Sequence, residues 1–168
     1  SAMPALPHIL PLPAWQSYGA NLPEFQARAK ASGHFQAIVD SDGIIRRAWA
    51  LSEFKGHYYE SLSIAIIKLL TQETKPDIQT TQEFFKPSPQ MDALQLAGFE
   101  IPVRPDGSIW IPYAGKSGKF RYISFADILD HKIDPQALAG IIGIMGSSAA
   151  GLLDLRSTPV GEIYPGVE

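Results

Sequence analysis

Cysteine is absent from the 168 residues of this chain. Its absence excludes a disulfide framework, a thiolate metal site and a cysteine nucleophile. Runs of lysine or arginine are missing too, and the formal net charge is -3 at pH 7. A chain without a basic patch cannot neutralise a phosphate backbone, so nucleic acid is not an expected partner.

Long apolar runs are also missing. The longest mostly apolar stretch, residues 62–70, contains two polar residues and is far shorter than a membrane span. The chain does have a 45% share of hydrophobic residues, which is enough for the core of one domain. Because the two small residues before Met3 are typical of a tag remnant, we expect residues 1–3 to be tag and start. Residues 4–168 are expected to form a single domain fragment of a longer protein.

Capping residues and apolar spacing predict short helices. Asn21 followed by Glu24 resembles a capping box, and Gly33 is expected to end the helix, which predicts a helix over residues 22–32. Apolar residues recur at helical spacing on both sides of residues 62–70, which predicts a central helix buried on most of its circumference. Capping serine and Asp-Pro signals predict two further short helices, over residues 124–130 and 134–140.

Turn-forming clusters between apolar stretches predict two β-hairpins, with turns at Asp40–Gly43 and Arg104–Gly107. Residues 71–90 are rich in Thr, Gln and Pro and are expected to form an irregular surface connection. The glycine-bounded apolar run Ile141–Met145 predicts a strand buried on both faces. The hairpin strands are expected at residues 34–39, 44–51, 99–103 and 109–113. These elements together predict an α/β (α+β) fold with a mixed, largely antiparallel sheet and a few flanking helices.

Three partial motifs for nucleotide or metal binding each lack a required residue. The glycines of residues 140–146 have the wrong spacing for a dinucleotide fingerprint and are better explained by close packing in a strand. The sequence Gly115-Lys-Ser117 has Trp110 where a phosphate-binding loop requires glycine. A calcium loop that began at Asp40 would end on Leu51, which cannot coordinate a cation. We therefore expect no cofactor and no metal.

Polar and aromatic residues near predicted strand ends are the candidates for ligand contacts. Asp154, Arg156 and Thr158 follow the last apolar run, where α/β folds commonly build sites. Arg46 and Arg47 alternate across a strand, so one is expected to point inward and pair with a carboxylate while the other is solvated. The full set of candidates is Arg46, Arg47, Tyr58, Tyr59, Asp154, Arg156 and Thr158.

Other roles for the same residues remain open. Asp154 and Arg156 would equally form an internal ion pair that holds the loop. In an enzyme, Arg156 would hold a small anionic substrate and Asp154 would act as the base. In a purely structural dimerisation module, the apolar helix around Ile64 and Ile67 would make the interface.

Five short motifs follow one another in a fixed order along residues 33–168. They are Asp42-Gly43, Arg46-Arg47, Tyr59–Leu62, Tyr113–Gly115 and Gly151–Pro159. Their order and spacing resemble the second type of CHASE domain, the cyclase/histidine-kinase-associated sensing extracellular domains of bacterial receptors. Two positions depart from that family, since Ile141 replaces a lysine and Gly143 a valine.

The resemblance implies a non-catalytic ligand-sensing module at the periplasmic face of the inner membrane, within a bacterial receptor such as an adenylate or guanylate cyclase or a sensor kinase. The implied partners are an unknown small-molecule or ionic signal, the membrane through transmembrane helices outside this sequence, and a second copy in a homodimer. The loop after the last strand, together with positions 46–47 and 58–59, would shape the recognition surface. The N-terminal part of the family domain would be missing here, which would leave exposed strand edges.

Overall fold

The computed structural model describes residues 12–73, 76–81, 90–147 and 155–168. These residues fall into two compact units. The first unit takes in the described residues up to Ile38 and those of Arg47–Ile111, and the second takes in Val39–Arg46 and the described part of Pro112–Glu168. Among the described residues there are three α-helices and eleven strands in mostly antiparallel sheets. The mixed α/β fold class predicted from the sequence is confirmed.

Three three-stranded sheets account for the strands up to residue 110. The first sheet has the order β1-β4-β5, with β1 parallel to β4, and its strands are Ala14–Trp15, Leu51–Phe54 and His57–Glu60. The second has the order β2-β3-β9, and its strands are Ala37–Val39, Ile45–Trp49 and Ser108–Trp110. The third has the order β6-β7-β8, and its strands are Asp77–Thr81, Gln90–Leu96 and Phe99–Pro102.

The hydrophobic core of the first unit is built from β4, β5, β7 and one face of a helix. Leu51 and Leu94 are fully buried, and Tyr58 fills the space beside them with its ring. Side chains alternate between the two faces of a strand, so β5 buries Tyr58 and exposes Tyr59. The buried cluster consists of Ala50, Leu51, Tyr58, Ile64, Met91, Leu94, Leu96 and Val103.

The first helix, α1, spans Pro23–Arg28 and is shorter than predicted. Leu22 rather than Asn21 is the N-cap, and its side chain makes no capping hydrogen bond. The helix begins at a proline because a proline at the first helical position has its φ angle already fixed and loses no hydrogen bond there. It ends at Arg28, several residues before Gly33, so the predicted role of Gly33 as the stop is wrong.

The second helix, α2, spans Leu62–Thr71 and confirms the predicted helix. The predicted burial on most of its circumference is wrong, because only Ile64 and Ala65 are buried. Leu62 is 39% exposed and Leu69 is 49% exposed. One face of α2 packs on the core of the first unit, and the exposed Leu62 and Leu69 lie on the other side of the helix.

The two predicted hairpins have different outcomes. The first is confirmed by the pairing of β2 with β3 around a turn in which Gly43 N–H donates to Asp40 O at 2.9 Å. The second turn also forms, with Gly107 N–H donating to Arg104 O at 2.8 Å. Its flanking strands do not form a two-stranded ladder, since β8 pairs with β7 and β9 pairs with β3. Pairing with longer neighbouring strands satisfies more backbone groups than the short hairpin would.

The segment predicted to be an irregular connection is partly regular. Asp77–Thr81 forms β6, which pairs with β7 and carries a bulge between Gln79 and Thr80. The polar residues of this strand are compatible with pairing because β6 lies at the edge of its sheet. Residues 82–89, which belong to the same predicted connection, lie outside the described residues.

The second unit contains short helices and one hairpin. Helix α3 spans Phe125–Leu129 with Ser124 at its N-cap, and a 3-10 helix spans Pro135–Leu138. The Asp134 side chain accepts a hydrogen bond from Gln136 N–H at 2.9 Å, so both short helices predicted in this region are confirmed. The hairpin joins β10, Leu155–Thr158, to β11, Gly161–Pro165.

The predicted buried strand at Ile141–Met145 is wrong. These residues form no strand, and their four large side chains are between 55% and 78% exposed. A strand needs a neighbour for its backbone groups, and within the described residues none pairs with this run. The packing role predicted for the glycines holds only at Gly146, where an added Cβ would lie 2.7 Å from Val167 Cγ2. Gly140 and Gly143 face open space.

Candidate functional site

A cleft of about 500 Å³ in the second unit is the candidate site. One wall is the β2–β3 turn, and the other is the β10–β11 hairpin. The cleft therefore brings the Asp-Gly turn motif beside Thr158, two features that are more than a hundred residues apart in the sequence. Its lining residues are Asp42, Gly43, Ile44, Ser157, Thr158, Glu162 and Ile163.

Arg46 holds the turn that forms the first wall. Its Nη1 donates to Asp40 Oδ2 at 2.9 Å and to Asp42 Oδ1 at 3.0 Å, and its Nη2 donates to Asp42 Oδ2 at 2.7 Å. The hydrogen bonds from Arg46 lower the pKa of Asp42 to about 2. The Arg46 guanidinium does not line the cleft, and its charge is balanced by the carboxylates of Asp40 and Asp42. Its geometry supports an ordering role, while ligand contact by Arg46 stays a prediction.

The second wall is held by hydroxyl groups that bond within the hairpin. Thr158 Oγ1 donates to Gly161 O at 3.0 Å, and Ser157 Oγ donates to Glu162 O at 3.2 Å. Thr158 is 7% exposed, while the Glu162 carboxylate is open to solvent. Both hydroxyl oxygens keep lone pairs that can accept from a ligand. The wall therefore offers oxygen acceptors in a fixed arrangement.

Two other predicted site residues lie near or beyond the hairpin. Arg156 is exposed on β10, and its Nη1 donates to Leu155 O at 3.2 Å. Asp154 lies outside the described residues, so the predicted Asp154–Arg156 pair and the enzyme hypothesis built on it are not tested. Sequence reasoning missed Ser157 and Glu162. The sequence signal for this hairpin was Pro159-Val-Gly161, a turn-forming segment between residues 155–158 and 162–165.

A tyrosine cluster in the second unit was also missed. Tyr113 donates its hydroxyl to Ile45 O at 2.8 Å, and its ring meets Tyr164 edge to face at 5.5 Å. Tyr122 donates to the Glu168 carboxylate at 2.5 Å, which raises the pKa of Tyr122 to about 12 and lowers that of Glu168. Gly118 N–H donates to the same carboxylate at 2.7 Å. These contacts order the loops of the second unit.

The remaining predicted site residues lie in the first unit. Arg47 Nη1 donates to Asp106 Oδ2 at 2.8 Å, and Asp106 also accepts from Ser108 Oγ at 2.6 Å. Burial raises the pKa of Asp106, but the hydrogen bonds from Ser108 and the charge of Arg47 lower it overall. Both adjacent arginines pair with carboxylates, and Arg46 is the more exposed, at 32% against 20% for Arg47, so the expected contrast between a paired and a solvated arginine is confirmed only in part. Tyr58 is a core residue and Tyr59 is exposed; their roles in ligand binding stay predictions.

His34 belongs to a polar cluster at the junction of β4 and α2. Its Nε2 lies 3.1 Å from Ser52 Oγ. The backbone of His34 forms an isolated parallel β-bridge with that of Ser61. Burial lowers the pKa of His34, against a smaller opposing effect of the Tyr59 backbone. A neutral imidazole is therefore the stable form in the folded state.

We expect this histidine to make the protein less stable in mild acid. The folded state binds the His34 proton less readily than the unfolded chain, so its stabilising contribution is complete above the ordinary pKa of 6.5 and declines below it. Urea unfolding at pH 7.5 and pH 5.5 should show a smaller pH-dependent loss in His34→Gln than in the wild type. The matched control is His57→Gln, at an exposed position. Equal losses in all three proteins would contradict the prediction.

Within the described residues, no group of three or more His, Asp or Glu side chains is placed to hold a metal ion. None of their helices has both the length and the apolar composition needed to cross a bilayer.

The comparison with known families agrees with the motif resemblance and extends it. The CHASE2 domain family model matches residues 6–168, which adds residues 6–32 to the part of the chain covered by the motifs. No curated protein and no solved structure matches the chain. Members of the matched family are sensory rather than catalytic domains of membrane receptors. The chain belongs to the CHASE2 domain family of sensory extracellular domains.

Proposed function

We propose that this chain is the extracytoplasmic, ligand-sensing module of a bacterial transmembrane receptor whose output is a cyclase or a sensor kinase. The observation that carries the proposal is the family match over residues 6–168. In such a receptor the domain lies in the periplasm, and transmembrane helices elsewhere in the protein connect it to the output. The module itself turns over no substrate.

The signal binds in the cleft between the β2–β3 turn and the β10–β11 hairpin. Its volume of about 500 Å³ lies within the range of about 300–1,000 Å³ that is usual for small-molecule sites. Oxygen acceptors of Ser157, Thr158 and Glu162 line one wall, and Asp42 lines the other. These groups suit a small polar ligand that donates hydrogen bonds. Arg46 acts indirectly, because it holds Asp42 in place.

Signal transmission requires that the ligand bind one conformation more tightly than another. The two walls come from segments separated by more than a hundred residues in the chain, so a ligand that contacts both favours one arrangement of the two segments. The energy available for signalling is the difference in binding free energy between the two arrangements, which is typically about 1–3 kcal/mol in such systems.

The receptor context is tested with topology reporters in the complete reading frame. Alkaline phosphatase, which is active only outside the cytoplasm, is inserted at the exposed turn Ser41–Gly43, and a reporter active only inside the cell is inserted at the same place in a second fusion. Activity of the first fusion alone is expected. Activity of the second fusion alone would overturn the proposed location and with it the receptor role.

The cleft is tested by filling it. Ile163 lines the cleft and is 71% exposed, so Ile163→Trp should fold normally and occupy the space of a ligand. We expect it to weaken binding at least about tenfold, which corresponds to about 1.4 kcal/mol. The measurement is an NMR titration with a primary ammonium and a sugar, which both donate hydrogen bonds, and with a dicarboxylate, which should not bind, each followed at Ser157 and Thr158. Ile142→Trp, at an exposed position that does not line the cleft, is the control. If no titrant shifts these resonances, or if both variants bind as the wild type does, the cleft is not the site.

A further inference from the structure

Helix α2 is apolar on two opposite faces, and only one of them packs against the core. Ile64 and Ile67 face the core cluster of the first unit. Leu62, Ala65, Ile66 and Leu69 lie on the other side of the helix, as their spacing of three and four residues requires. A surface helix with a single core contact would carry polar residues on this outer face. The composition of α2 therefore indicates that its outer face also contacts something apolar.

A groove of about 290 Å³ runs along that outer face. Lys30 and Ala31, just after α1, line it together with α2, and Ala65 in its lining is 1% exposed. Leu62 and Leu69, which also line it, are 39% and 49% exposed. The lining is mostly apolar, and all of it belongs to the first unit.

The charge of the groove is positive, although the chain as a whole carries a formal charge of -3. Lys30 is the one charged residue in the lining, and in the described part of the chain no carboxylate forms an ion pair with it. A cation beside an apolar channel complements an anionic head group attached to an apolar tail.

The volume of the groove selects the kind of occupant. At about 290 Å³ it lies at the lower end of small-molecule sites. A helix of a partner or of a second copy has a diameter of about 10 Å with its side chains, so a groove of this volume would not enclose it. A single short alkyl chain would fit along it.

We propose that this groove binds a medium-chain carboxylate, with the alkyl tail between Ala31 and the Leu62–Leu69 face of α2 and the carboxylate beside the Lys30 ammonium. The site lies in the first unit and does not depend on the cleft of the second unit. It gives the domain a second binding site, one for amphiphilic anions.

Titration calorimetry with hexanoate, octanoate and decanoate tests the tail. Each additional buried methylene should improve affinity about fourfold, until the chain outgrows the groove. Octanol and octylamine are the controls for the head group, and both should bind more weakly than octanoate. Affinity that does not change with chain length, or octanol that binds as tightly as octanoate, would overturn the proposal.

Variants test the two walls separately. Lys30→Gln, at an exposed position, should weaken octanoate binding about three- to fivefold, as loss of an exposed ion pair predicts. Lys116→Gln, at an exposed position of the second unit, should leave it unchanged. Ala31→Trp should block the groove and abolish binding. Equal effects of the two lysine substitutions, or undiminished binding to Ala31→Trp, would contradict the assignment. A dimer in light scattering that Ala31→Trp dissociates would show that a second copy occupies the groove instead.

Discussion

Replacing Lys68 with methionine is expected to lower the free energy of unfolding by about 3–5 kcal/mol. Lys68 Nζ donates to Glu60 Oε2 at 2.6 Å, and the two side chains are only 14% and 4% exposed. Removing the cation leaves the Glu60 carboxylate buried without its charge partner, and that uncompensated charge, rather than the lost attraction alone, sets the cost. The measurement is the urea unfolding midpoint with its slope.

A double-mutant cycle separates the pair from its surroundings. Glu60→Leu combined with Lys68→Met removes both charges and should recover most of the lost stability, because a buried pair replaced by apolar groups of similar volume is often neutral or stabilising. Lys132→Met is the control at the surface. Lys132 pairs with Asp127 and Asp130 but is 61% exposed, so its loss should cost less than about 1 kcal/mol. A Lys68→Met effect no larger than this control would contradict the prediction.

The buried pair also shows what local patterns leave out. Lys68 interrupts an apolar helix, and the sequence alone shows it only as a break in an apolar run. The spacing of eight residues from Glu60 matches no local interaction pattern, because Glu60 ends β5 and Lys68 lies in the last turn of α2. The pairing depends on how the strand leads into the helix, and that geometry is a tertiary property.

Turns and helices were predictable where a few adjacent residues decide the structure. The Asp40–Gly43 turn, α2 and the Asp134 cap all depend on side chains within four residues of one another. The predicted strand at Ile141–Met145 failed because a strand requires a partner, and nothing in those five residues specifies one. Likewise, Arg104–Gly107 specified its turn but not the neighbours of the strands on either side.

The candidate site was predictable in part for the same reason. Thr158 was selected as a residue after an apolar run, and it does line the cleft. Arg46 was selected as well, but its guanidinium is engaged by Asp40 and Asp42, and the aspartate rather than the arginine faces the cleft. Glu162 escaped notice because the hairpin that presents it contains a bulge after Arg156, which breaks the simple alternation of side chains.

Gly33 is the position where a single added methyl group should do the most damage. An ideal Cβ there would lie 2.6 Å from Leu62 N and 2.7 Å from both Leu62 Cα and Ser61 C. All three are backbone atoms at the start of α2, so no side chain can rotate away to make room. The same junction is held by a hydrogen bond from Leu62 N–H to His34 O at 2.7 Å, which separation of the two segments would break.

Gly33→Ala is therefore expected to destabilise the protein by about 3 kcal/mol, the upper end of the usual cost of overpacking. Gly19→Ala is the matched control, since no atom lies within 4 Å of its added Cβ, and it should be neutral or slightly stabilising. Urea unfolding of both variants measures the difference. If Gly33→Ala is as stable as Gly19→Ala, the close approach to α2 does not limit stability. A large difference would establish that Gly33 is required for contact between an extended segment and the start of a helix, and not as the end of the helix that precedes it.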